Sequence, residues 1–205
     1  ALPGGGRAPR RPDGAARSGA RRRPAVPLPL VALTKPVAQR LFWPCWFVAT
    51  TFAGVVAGFM LGHALILGRF LDWLLASATP GLLAQTYPVF RGSAGRAGLD
   101  VYYAVAGLQV LAGLAFLSVA LGARQHRGAA AVAAVSGSLW VIVHYASGFA
   151  GLEASVLRGT AEVTREIRDR FLAWNTPIHV FHAATLAVAL GALLSVPLSA
   201  LRQRG

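Results

Sequence analysis

Four apolar runs dictate what this chain can become: roughly Phe42 to Leu67, Val101 to Leu121, Ala129 to Ala150 and Pro177 to Leu201. Each reaches the ~20 residues that a helix rising about 1.5 Å per residue needs to cross a ~30 Å hydrocarbon core. The first keeps its apolar character as far as Leu75. None alternates apolar and polar residues as the roughly ten-residue strands of a membrane barrel do. With 55% hydrophobic and 13% charged residues, the composition is too apolar for an ordinary soluble domain. The expected fold is an all-α integral membrane protein, a four-helix transmembrane bundle over residues 41–205 set in a lipid bilayer.

Residues 1–40 are a different material. They mix Gly, Pro, Ala and Arg with almost no aromatic side chain, too little apolar surface to offset the entropy of ordering. A disordered basic tail is expected there. Arg10-Arg11 resembles half of a twin-arginine signal, but the first apolar run starts about thirty residues later and is long enough to span, so a cleaved leader is the weaker reading.

Basic residues set the expected orientation. Of the 20 Lys and Arg, thirteen fall in the tail, in the short connection at Arg124 and Arg127, and at the C-terminus. The two longer connections and their edges hold seven, with six of the seven acids. The positive-inside rule then puts both termini in the cytoplasm of a bacterium's plasma membrane, with the longer loops outside. The net charge of +13 follows from this topology and an anionic lipid surface, and no nucleic-acid partner is expected.

Four of the five histidines, His63, His144, His179 and His182, lie within the apolar runs. Counting along each helix from its cytoplasmic edge puts them about 22 to 33 Å up, all in the outer half of the bilayer. Ionisable groups at that depth are costly and mark function, although a single membrane histidine often does no more than bond a nearby carbonyl. Thr176-Pro177 reads as an N-cap followed by Pro at the first helical position. The i, i+3 spacing of His179 and His182 then puts both imidazoles on one face. Neutral imidazole ligates copper, iron or zinc, and haem iron takes histidine axially. A haem b would need His63 or His144 opposite one of the pair on the last helix. Copper or iron held as a mononuclear or dinuclear site would instead draw on three or four histidines, with Glu153 or Glu162 from the outer loop.

The remaining signals are structural or negative. Gly54, Gly58 and Gly62 repeat every fourth residue, a small-residue strip expected to let a neighbouring helix approach closely. Trp43, Trp46, Trp73, Trp174, Tyr87 and Tyr102 lie near span ends and read as interfacial anchors. Between Glu153 and Trp174, pairs such as Arg165 and Asp169 at i, i+4 suggest a short interfacial helix. The single Cys45 excludes an internal disulfide, and no CxxCH, Walker, HExxH or GxSxG pattern occurs.

The stretch Phe171-Leu172-Ala173-Trp174-Asn175-Thr176-Pro177-Ile178-His179 leads into an Ala/Leu-rich last span. With the four-span plan and the glycine-rich first span, it resembles the small membrane proteins of the DUF1772, anthrone oxygenase-like group. The resemblance covers about the last forty residues and implies that Trp174, Asn175 and His179 belong to one polar site. The Arg that follows the His in that group is absent, with Val180, Phe181 and His182 in its place.

Two functional readings emerge. One is a membrane oxidoreductase or oxygenase-like protein, with His63, His144, His179 and His182 holding metal or haem and Trp174, Asn175 and Glu153 orienting them. The other is a non-enzymatic accessory subunit, docking through the Gly54/Gly58/Gly62 face into a larger membrane complex or a homo-oligomer. No catalytic residue is assigned by sequence alone.

Overall fold

The computed structural model describes residues 33–77, 81–93, 95–157 and 163–202, and among these every regular element is helical. The basic tail lies, up to residue 32, outside the described residues, as does Glu162. Seven α-helices follow in order: α1 (Lys35–Gly62), α2 (Gly68–Ala76), α3 (Leu82–Gly92), α4 (Arg96–Ala123), α5 (Arg127–Ala146), α6 (Phe149–Leu157) and α7 (Arg165–Arg202). A π-helical turn, His63–Leu67, joins α1 to α2 without a break. Four helices are long and apolar enough to cross a membrane: Lys35–Ala76, Arg96–Ala123, Arg127–Ala146 and Arg165–Ser199.

These four form a closed square in which α1 packs on α4, α4 on α5, α5 on α7 and α7 back on α1. Chain order and spatial order coincide, as in an up-and-down bundle. The start of α1, the α4–α5 turn and the end of α7 share one end. There the Phe42 and His126 rings lie 5.8 Å apart, and Ser199 Oγ is 3.2 Å from His126 Nδ1. The longer connections, carrying α2, α3 and α6, therefore gather at the other end, called here the loop end.

Several boundaries differ from the sequence expectation. Helix α1 begins at Lys35, ahead of the boundary near 40, with Pro36 in its first turn where the missing N–H costs nothing. Helix α5 stops at Ala146 because Gly148 takes a left-handed conformation, φ 77°, that ends a helix at low cost. Ser147 Oγ then accepts the Phe149 N–H at 3.3 Å and starts α6 at an angle. The expected N-cap at Thr176 is corrected. Helix α7 already runs from Arg165 and passes through Pro177, while the Thr176 hydroxyl donates to Asp72 instead of capping. Arg165 and Asp169 do pair, at 3.6 Å, in the first turns of this same helix.

The glycine strip is also corrected as a packing face within the chain. A Cβ at Gly58 or Gly62 would meet nothing within 4 Å, and one at Gly54 would only touch Leu190 at 4.0 Å. Helix α1 instead buries Ala38, Phe42, Ala49, Ala53, Val56 and Met60, a heptad-like stripe that Ala64 of the π turn extends. Close approach is needed elsewhere: a Cβ at Gly137 of α5 would come within 2.7 Å of Gln109 Nε2 on α4. That glutamine is buried and accepts the Trp140 indole N–H at 3.0 Å.

Pro197 shows how the bundle compensates a broken helical bond. Lacking an N–H, Pro197 leaves the Leu193 carbonyl without its helical donor, and the Trp46 indole of α1 donates to that carbonyl at 2.8 Å. Trp46 is thus an interhelical bond as well as an aromatic residue near a span end. Trp46→Phe keeps most of the ring but strands the carbonyl, so it should lower stability by about 1–3 kcal/mol. Unfolding in mixed micelles measures this; a loss below a few tenths would show that the bond contributes nothing.

Candidate functional site

At the loop end, between a middle core layer of Val56, Met60, Ala106, Trp140 and Leu186 and a cap containing Leu71, Phe149, Phe171 and Ile178, the four histidines come together. The rings form a continuous chain. His63 stacks on His179 with centroids 3.8 Å apart, His179 lies 5.5 Å from His182, and His182 lies 5.5 Å from His144. They arrive from three directions: the π turn after α1, the end of α5 and the middle of α7. Trp140 packs against His182 at 5.7 Å, and Phe149 against His144 and His179 at 5.6 and 5.7 Å.

The π turn brings His63 to this layer, and Gly68 permits the turn. The Gly68 N–H bonds back to the His63 carbonyl five residues earlier. In this widened geometry a Cβ at Gly68 would sit 2.9 Å from the His63 carbonyl oxygen and 3.2 Å from its ring. Such π turns recur at functional sites because one extra residue re-aims every side chain that follows. Here the re-aimed residue is Asp72. Its carboxylate accepts from Asn175 Nδ2 at 2.8 Å and from Thr176 Oγ1 at 3.0 Å, while Asn175 Nδ2 also donates to the Gly68 carbonyl at 3.1 Å. Two carboxylate bonds and one carbonyl bond thus clasp α2 to α7.

From that clasp the geometry passes to His179. The Asn175 carbonyl lies 2.8 Å from His179 Nδ1, and a carbonyl only accepts, so Nδ1 carries the proton. In the neutral ring the lone pair is then on Nε2, the atom a metal would take. Asn175 itself is fully buried, and its Oδ1 meets no protein partner among the described residues.

Glu153 approaches from α6. Its Oε2 lies 3.7 Å from His144 Nε2, and ligand atoms of His63, Glu153 and His179 all fall within 4.8 Å of one another. Several buried nitrogens find no protein hydrogen bond among the described residues: His63 Nε2, His144 Nδ1, and both Nδ1 and Nε2 of His182. His182 is fully buried, so two unsatisfied nitrogens there are expensive.

Trp174 does not join the ring chain. It is half exposed and lines a small cleft with Ser147, Gly148, Phe149, Leu152 and Arg170. Gly54, Gly58 and Gly62 lie on the flank of α1 below His63. Sequence reasoning missed Asp72, Gln109 and Gly68. The first two carried a signal of their own, a charged and an amide side chain inside apolar runs.

The donor set fits an ion better than a macrocycle. A bis-histidine haem needs its axial rings on opposite faces of the porphyrin. His63 and His179 are stacked face to face with no space between them, and Trp140 and Phe149 fill the space beside His182 and His144. No protein-family model, no curated protein and no solved structure matches the chain.

If the clasp acts as one unit, Asp72→Ala and Asn175→Ala should each cost about 2 kcal/mol, and the double variant clearly less than their sum. A double-mutant cycle from unfolding in mixed micelles decides it; strict additivity would show that the two side chains act separately.

Proposed function

We propose that this chain is a multi-pass protein of a bacterial plasma membrane whose outer histidine layer holds a transition-metal ion, iron or copper, for redox or oxygenase-type chemistry. The carrying observation is the convergence of His63, His179 and Glu153 ligand atoms within 4.8 Å, from three separate elements, in a bundle with an apolar exterior. Two histidines and one carboxylate with open positions is the donor set of non-haem iron oxygenases, and imidazole also suits copper.

Ligands 2.0–2.2 Å from a tetrahedral ion stand about 3.4 Å apart, so loading would draw the carboxylate in and splay the stacked rings by about 1 Å. The hydrogen bond to Asn175 fixes which nitrogen of His179 faces the ion, the role outer partners play at metal sites. The bound ion would supply electron transfer or substrate activation. The chain's own residues hold it, orient it and shield it with Phe149 and Trp140. The likeness of residues 171–179 to the anthrone oxygenase-like group agrees with this reading.

The accessory-subunit reading draws on one observation, the open faces at Gly58 and Gly62, which leave room for another helix. Metal analysis separates the two. Purified protein should carry iron or copper in near-stoichiometric amount, and His63→Ala, His179→Ala or Glu153→Gln should lower affinity by more than the about 10- to 100-fold that loss of an outer partner costs. Trp174→Ala should leave it nearly unchanged. Metal-free protein that refuses both ions while folding normally would favour the accessory role.

Orientation has its own test. Fusions at Arg124 and Gly205 should report from the cytoplasm; an external signal from either would contradict the proposed topology.

A further inference from the structure

The first metal position leaves half of the histidine layer unused. His144 and His182 face it from α5 and α7, and neither belongs to the group formed by His63, Glu153 and His179. His182 is the more demanding of the two, because it is fully buried and neither ring nitrogen meets a protein partner among the described residues. A structural histidine would satisfy at least one nitrogen, as His179 does through Asn175.

Ring spacing indicates what would take one nitrogen of His182 and one of His144 together. An imidazole bonded at about 2.0–2.1 Å puts its centroid about 3.2 Å from the ion, so two imidazoles on one tetrahedral ion have centroids about 5 Å apart. His144 and His182 are separated by 5.5 Å with their planes inclined at 57°. A carboxylate stands beside this second pair, since Glu153 Oε2 lies 3.7 Å from His144 Nε2. The same side chain is grouped with His63 and His179. Glu153 therefore stands between two pairs of histidines, and each pair contains a buried ring nitrogen that meets no protein partner among the described residues.

We infer that the layer is a dinuclear centre: a second transition-metal ion sits on His144 and His182, and Glu153 bridges it to the ion on His63 and His179. The inference rests on the first position being a metal site. Two ions about 3.5–4 Å apart is the spacing of known two-metal centres, and one bridging carboxylate spans it. The donor set is then four neutral imidazoles and one carboxylate. Asp72 adds a further negative charge through the Asn175 clasp without contacting either ion.

The experiment is a cobalt(II) titration of chelator-stripped, detergent-purified full-length protein, read by bound metal after desalting. The wild-type chain should bind two equivalents, and His182→Gln and His144→Gln should each bind about one. Magnetic coupling between the two cobalt ions in the wild-type protein provides a reading that needs no variant. Two equivalents with coupling, falling below two without His182, supports the dinuclear centre. One equivalent in the wild type, or two retained in His182→Gln, overturns it while the first metal position survives. No cobalt in the wild type overturns both.

Discussion

The contact on which the loop end depends is the Asp72 carboxylate. It receives the Asn175 amide and the Thr176 hydroxyl together, and so fastens the first membrane-length helix to the last just beyond the histidine layer. In lipid the apolar exterior gives helices little reason to prefer one another over acyl chains, so packing and buried polar bonds must set their relative positions. A charge-assisted pair of bonds is stronger than a neutral one and directional as well. With it in place, α2 cannot slide against α7, the π turn stays open, and His63 is held face to face with His179. Without it, the Gly68 carbonyl would be the remaining polar link between those two helices among the described residues.

The price of this arrangement is concentrated in the histidines. Imidazole nitrogens at His63, His144 and His182 are buried without protein partners among the described residues, each at a cost of about 1–3 kcal/mol. Among the described residues, the other buried side-chain oxygen or nitrogen left without a partner is Asn175 Oδ1, in the clasp beside His179. The Leu193 carbonyl freed by Pro197 is met by Trp46, and the Gln109 carbonyl by Trp140. The deficit is thus localised at the histidine layer and its clasp, where a ligand would relieve part of it.

Much of the architecture was legible in the sequence, because hydrophobic length is a strong signal and membrane-length runs have few alternatives. That the histidines share a level followed from helical rise alone. What could not be read was the rotation of each segment. The π turn at His63–Leu67 adds a residue to one turn and re-aims Asp72, and it depends on Gly68 tolerating 2.9 Å to a carbonyl, a contact that exists only in three dimensions. Likewise Gly148 directs α6 so that Glu153 returns to His144. The glycines singled out by spacing, Gly54, Gly58 and Gly62, proved the less constrained ones. Regular spacing shows that a face exists, while a required glycine shows itself by what a Cβ would strike. Thr176-Pro177 misled for a related reason. Proline at a helix start and proline within a continuing helix look alike locally, and the difference is decided by whether a neighbouring helix takes the threonine hydroxyl.

Charge is the last constraint on what the layer can hold. Imidazoles bring no charge, so Glu153 and, at one remove, Asp72 are the negative groups close to the histidines. A single divalent ion there is neutralised to first order by these two carboxylates. A second divalent ion leaves an excess of positive charge, which is far more costly in a low-dielectric bundle than in water. A dinuclear state of two divalent ions therefore calls for an anion, such as hydroxide from water, arriving with the second ion. Arg170 and Trp174 line the cleft whose inner wall is Phe149, the ring touching both His144 and His179. A cation at that cleft raises the local concentration of anions. The groups proposed to hold metal and the Arg170 cation thus lie along one short path, from the cleft through Phe149 to the histidine layer.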